Sequence, residues 1–258
     1  MHGPGPQSRF PVILLLLLCF VATPALGAGG SGVILGQLQL PASPSATRVS
    51  ALDSLAAEVK QRTSIAAESR SRTLHPTAGE LFEFPVLFLP GDDLLPESTF
   101  DEQTALSHWL KAGGALVIDW QGGGARLEQF RANAEQFLAR LLPGSSLERI
   151  PRGSVVYRSF YRLHYASGRL RLVDDLYGVM VDGRYAVIVC FNDLLSAVER
   201  DKSGEFSFDV APGGQTQRED AVRLLVNLVV YALCLDYKDD KVHLEYLKSR
   251  RNWRLPDE

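Results

Sequence analysis

Apolar residues recur along this chain with two alternating periods, and the switches between them outline its elements. In VILGQLQL (33–40), Ile34, Leu38 and Leu40 mark a first strand, which Pro41 ends. From Ser45 to Arg62 the spacing turns helical. Val49, Leu52, Leu55, Ala56 and Val59 share one face, and Glu58 and Arg62 stand four apart on the polar side. Ile65 to Leu74 is weakly patterned and compatible with a short second strand, and PVLFLP (85–90) is a continuous apolar run, the mark of a strand buried on both faces. A second helix is expected over Phe100 to Lys111, capped by Thr99 or Asp101 and stopped by Gly113-Gly114. ALVIDW (115–120) is another buried strand. A third helix over Ala125 to Leu142 follows, with Leu127, Phe130, Ala134, Phe137, Leu138 and Leu141 on one face.

This rhythm predicts an α/β fold, a doubly wound sandwich of mostly parallel strands whose crossover helices cover both faces. The second half is richer in strands. Leu170 to Val173, Leu176 to Val181 and Tyr185 to Phe191 read as extended, and Asp182-Gly183 is a two-residue hairpin signal, so an antiparallel hairpin is expected to return VIVCF to the sheet. Residues 200–217 are polar and Gly-rich, a long loop with room for a small ribbon. Arg218 to Leu235 is the longest apolar helix, with Ala221, Leu224, Leu225, Leu228, Val229 and Ala232 as its core face.

The N-terminus is set apart from the fold. Val12 to Ala22 form an apolar run too short to span a bilayer, and Ala25-Leu26-Gly27 supplies the small residues of a cleavage site. Residues 1–27 therefore read as a signal peptide cut after Gly27, with a retained anchor as the alternative. Residues 28–236 are the α/β domain and 237–258 a C-terminal arm. A net charge of −3 gives no electrostatic reason to expect nucleic acid, and the basic residues of the arm interleave with Asp236, Asp239, Asp240 and Glu245. Loss of Cys19 with the signal leaves Cys190 and Cys234 in apolar surroundings, where two buried free thiols are favoured over a single disulfide.

In open parallel sheets, ligands bind beyond the carboxyl ends of the strands. That rule selects Asp92 and Asp93 after PVLFLPG, Asp119 in ALVIDW, and Asn192-Asp193 after VIVCF; the competing reading is that these residues cap helices or close turns. VVYRSFYRLHY (155–165) interleaves aromatics with Arg158, Arg162 and His164, so Arg158 and Tyr161 join the ligand-binding candidates. Its alternative is a segment that covers the core with Phe160 and Tyr161. Gly122-Gly123-Gly124 suits a flexible connection better than an anion seat. No Gly-x-Ser-x-Gly motif occurs, and His75, His108, His164 and His243 show no metal-ligand spacing, so neither a catalytic triad nor a zinc site is expected, and no cofactor is implied.

Seven strings in order, RTSI (62–65), ELFEFPVLFLPG (80–91), LKAGGALVIDW (110–120), YRSFY (157–161), CFNDL (190–194), VNLVVYAL (226–233) and YKDDKVH (237–243), give a chain that resembles the domain of unknown function 4159 family. The resemblance implies a flavodoxin-like sandwich of the class I glutamine amidotransferase-like superfamily. FPVLFLPGDDLL with LKAGGALVIDW also looks like its trehalose-utilisation relatives. It implies an exported, periplasmic or membrane-associated bacterial protein whose family members are encoded near AAA-type ATPases and membrane proteins with von Willebrand factor A domains, and hence membership in a membrane-associated complex. Amidotransferases of this fold carry a Cys on an elbow after a central strand; here the elbow reads Pro90-Gly91-Asp92, and Cys190 lies inside a strand. The expectation is a non-catalytic domain that binds a partner protein or a small polar ligand at the strand-end rim. The alternatives are a hydrolase or carbohydrate-modifying enzyme using Asp92, Asp119 and Arg158, and a scaffold that docks through KVHLEYLKSRRNW.

Overall fold

The structure, a computed structural model, describes residues 32–40, 48–91 and 94–250, with side chains as far as 234. Residues 1–27, expected to be a signal peptide, Asp92, Asp93 and the side chains of the C-terminal arm lie outside the described residues. Seven strands form one sheet: β1 (Gly36–Leu38), β2 (Arg72–Leu74), β3 (Val86–Gly91), β4 (Ala115–Trp120), β5 (Glu148–Arg149), β6 (Tyr177–Val181) and β7 (Arg184–Cys190). Their order is β2-β1-β3-β4-β7-β6-β5. The first five in that order run parallel, whereas β6 and β5 close the far edge antiparallel.

Among the described residues five α-helices flank the sheet: α1 (Val49–Arg62), α2 (Phe100–Lys111), α3 (Leu127–Leu141), α4 (Leu194–Val198) and α5 (Gly214–Arg250). Because strand side chains alternate in direction, each central strand feeds two cores. Val86, Phe88, Ala115, Val117, Ile188 and Cys190 pack on the face of α1, α4 and α5. Leu87, Leu89, Leu116, Ile118, Val187 and Val189 pack under α2 and α3. The continuous apolar runs of β3 and β4 follow from this double burial.

Local chemistry sets the boundaries. Thr99 caps α2 in a full capping box, its side chain accepting from Glu102 N while the Glu102 carboxylate accepts from Thr99 N. Asp182 and Gly183 both adopt positive φ, 49° and 80°, as a two-residue hairpin turn with right-handed strand twist requires. Three expectations are corrected. Leu170–Val173 is not a strand; the amides of Leu172 and Val173 donate to the side chain of Asn192 instead of to a neighbouring strand. The last helix starts at Gly214, earlier than the apolar pattern suggests, and runs on through the charged segment to Arg250. Cys190 is buried and free, but Cys234 is exposed and free, because α5 turns that position away from the core. Among the described residues no helix is long and apolar enough to cross a membrane.

The tightest junction between helix and sheet is at Gly114, which precedes β4. A Cβ there would lie 2.2 Å from the ring of Trp109, itself 1% exposed and held by an Nε1 hydrogen bond of 2.9 Å to Phe84 O. We expect Gly114→Ala to displace that ring and lower stability by about 2 kcal/mol, the usual scale of core overpacking, in a urea titration. An unchanged midpoint would contradict this packing.

Candidate functional site

The carboxyl ends of β4 and β7 adjoin, and the parity of β4 decides what happens there. Asp119 has the parity of Ala115 and Val117, so its carboxylate faces the α1, α4 and α5 side, where α4 begins. It is 0% exposed, and Oδ1 accepts from Leu194 N at 2.7 Å while Oδ2 accepts from Leu195 N at 2.9 Å. The residue before α4, Asp193, cannot cap its own helix: its backbone is left-handed (φ 57°, ψ 69°) and its side chain makes no capping bond. Asp119 therefore caps α4 from the neighbouring strand, satisfying amides that would otherwise be buried without partners.

Asp193 turns instead to Arg169, whose Nε donates to Oδ2, while Oδ1 is buried without a hydrogen bond. Burial pushes both carboxyls upward. Asp119 reaches about 7 through its desolvation and the nearby charge of Asp193, against the opposing pull of the Leu195 and Leu194 amides. Asp193 is also raised by burial, although Ser196, Arg169 and Arg48 favour its charged form. Ser196 lies close enough to act on that carboxylate, yet its hydroxyl has no hydrogen-bond partner.

Asn192 is spent on the fold. Its Oδ1 accepts from Leu172 N (2.8 Å) and Val173 N (3.0 Å), and its Nδ2 donates to Val173 O (2.6 Å) and Ala166 O (3.2 Å). This amide takes the place of a strand neighbour for residues 166–173. Gly168 allows the close approach, since a Cβ there would sit 2.1 Å from Asn192 O.

Around this junction the structure gathers residues that sequence reading missed. Arg48, at the start of α1, donates through its guanidinium to Gln121 Oε1 (3.1 Å) and Glu199 Oε2 (2.9 Å), and its backbone N donates to Gln37 Oε1 (2.7 Å). Arg48 and Arg169 both approach the ring of Phe208, at 5.1 and 5.9 Å from its centroid. Phe208 belongs to the polar loop before α5. Gln121 Nε2 and Ser196 Oγ join Asp193 Oδ1 as buried polar atoms without partners. A polar residue directly after an apolar strand was the only signal for Gln121, and a glutamine inside an apolar run the only one for Gln37. Nothing local marked Arg48 or Arg169.

Asp119, Asn192 and Asp193 thus come together, whereas Arg158 and Tyr161 stand apart. The backbone of Tyr161 is bound by Asn227 on α5. Asn227 lies ten residues beyond Gln217, which bonds Gly168 O beside the rim (2.8 Å), a separation of about 15 Å along the helix. Arg158 is exposed, with no partner among the described residues. Among the described residues no group of three or more His, Cys, Asp or Glu is placed to hold a metal. The thiol of Cys190 is pushed well above its ordinary range by complete burial, with Asp119 adding to the shift, so it is not a ready nucleophile.

A family model described as Domain of unknown function (DUF4159) matches residues 37–233, most of the chain, and the chain belongs to that family. No curated protein matches it.

The raised carboxyl of Asp119 has a definite pH signature. A group protonated more readily in the folded state contributes stability below its unfolded value, near 3.8, and loses it as pH rises to about 7. Urea midpoints measured from pH 4 to 7 should therefore fall less steeply in Asp119→Asn than in the wild type. Identical slopes would contradict the assignment.

Proposed function

We propose that this member of the DUF4159 family is a non-catalytic exported domain that binds a small polar ligand, or the polar tip of a partner protein, at the joined ends of β4 and β7. One observation carries the reading: Asp119 and Cys190, the rim groups an acid–base or nucleophilic role would first call on, are already consumed by the fold. Asp119 has no exposure and both oxygens engaged, and the Cys190 thiol is sealed in a strand. Three buried polar atoms beside them, Gln121 Nε2, Asp193 Oδ1 and Ser196 Oγ, have no hydrogen-bond partner, although Gln121 and Ser196 lie close enough to favour the charged forms of Asp119 and Asp193, and Phe208 and two guanidiniums stand next to them. Such convergent polar groups beside an aromatic suit recognition.

The finer lineage belongs to the same proposal. A parallel core in the order β2-β1-β3-β4 is that of flavodoxin-like folds, which supports a class I amidotransferase-like ancestry, shared with trehalose-utilisation relatives, in which the cysteine elbow has been lost. Periplasmic location and membership in a membrane-associated assembly with von Willebrand factor A-type and AAA-type proteins rest on the family resemblance. One observation favours a second reading, a hydrolase built on strand-end carboxylates: Asp193 holds a left-handed backbone at a strand-to-helix turn, a geometry that elbows also use.

Two measurements on the purified protein separate the readings. Thermal denaturation with a panel of small polyols and amino acids should reveal a ligand that raises Tm by about 5–10 °C at a hundredfold excess over Kd, with the gain lost in Gln121→Leu. Nitrophenyl esters and glycosides should not turn over. Turnover abolished by Asp193→Asn would overturn the binding reading in favour of the hydrolase.

A further inference from the structure

We infer that the irregular segment Val155 to His164 is a preformed docking surface for an acidic segment of a partner protein, one that carries an apolar residue among its carboxylates. The surface is separate from the strand-end rim, and the inference does not depend on the reading of that rim.

The segment has almost no regular structure, yet it is tightly held. Asn227, 0% exposed on α5, accepts at Oδ1 from Tyr161 N (2.7 Å) and Phe160 N (3.2 Å). Its Nδ2 donates to Tyr161 O (2.8 Å), and its backbone carbonyl accepts from Ser159 Oγ (2.7 Å). Four hydrogen bonds to one helical residue thus fix positions 159–161. On the N-terminal side the phenol oxygen of buried Tyr157 accepts from Leu176 N (2.6 Å), and Leu163 N donates to Tyr157 O (2.8 Å). A loop bound this way loses little entropy on binding, the condition under which a few side chains can supply most of an affinity.

The segment displays apolar and basic side chains together. Phe160 is 48% exposed, set edge-on to Tyr161 with ring centroids 4.9 Å apart, and Val155 is 38% exposed. Arg158 and Arg162 are exposed and have no partner among the described residues. Several nearby acids are already taken: Glu219 by Arg62 and Arg223, Asp220 by the hydroxyl of Tyr165, and Asp175 by Arg152. What remains, among the described residues, is a fixed aromatic flanked in sequence by two exposed arginines without partners, the residue types that most often dominate protein interfaces. The complement is a carboxylate-bearing segment with one apolar side chain for Phe160. Two arginines fall short of the roughly four to eight basic residues found in anionic-lipid sites, which disfavours a membrane surface as the partner.

The test uses the full chain and fluorescence anisotropy with a labelled Glu-rich 12-mer that carries one central Leu. Arg158→Ala with Arg162→Ala should weaken binding about tenfold, and Phe160→Ala should weaken it for this peptide but not for an all-Glu peptide of the same length. Lys111→Ala with Arg140→Ala removes the same charge from another surface and should leave binding unchanged. Equal loss in the two double variants would overturn the proposal, as would binding to phosphatidylglycerol vesicles without binding to the peptide. Gln121→Leu, which probes the rim, should not alter peptide binding, so the two readings fail independently.

Discussion

The carboxylate of Asp119 is the contact on which the strand-end architecture depends. Chain reversal after β7 places Asp193 in a left-handed conformation, which turns its side chain away from the helix it precedes. The first amides of α4 would then be buried without acceptors, a cost on the order of a few kcal/mol in a site that excludes water. Asp119 supplies both acceptors across the sheet and so couples β4, β7 and α4. Asp193, released from capping, is free to hold Arg169, and with it the loop that Asn192 and Gln217 also secure.

Charge at this rim is balanced locally. Burial raises the proton affinity of both carboxyls, the charge of Asp193 adds to the shift at Asp119, and Arg169 and Arg48 oppose it at Asp193. The guanidiniums in turn flank Phe208, so the polar loop before α5 is fastened to the same residues that hold the strand ends. A site built in this way is rigid and mostly spent on its own structure. It retains a few buried hydrogen-bonding atoms without partners, the atoms on which the proposed recognition rests.

Much of the fold was legible because it follows from periodicity. The doubly buried runs of β3 and β4, the capping box at Thr99 and the Asp182-Gly183 turn are local signals, and each lies where its chemistry requires. The failures have a common cause in tertiary partners. Leu170–Val173 has a strand's composition, but its amides found Asn192 before they found another strand. Asp119 was visible as a strand-end acid, yet its role as the cap of a helix 75 residues away depends on strand order, which no local pattern carries. Arg48 and Arg169 reached the rim by the same long-range route. The segment around Arg158 was conspicuous in sequence for its composition, but only the buried side chain of Asn227 explains why an irregular stretch is held in place.

The central claim is that Asp119 is a structural cap and not a chemical group, and amide hydrogen exchange tests it most directly. In the wild type, Leu194 and Leu195 should rank among the slowest amides of the chain. Asp119→Ala should release those two selectively while the amides of β3 keep their protection. Fast exchange at Leu194 and Leu195 in the wild type, or protection untouched by Asp119→Ala, would contradict the account.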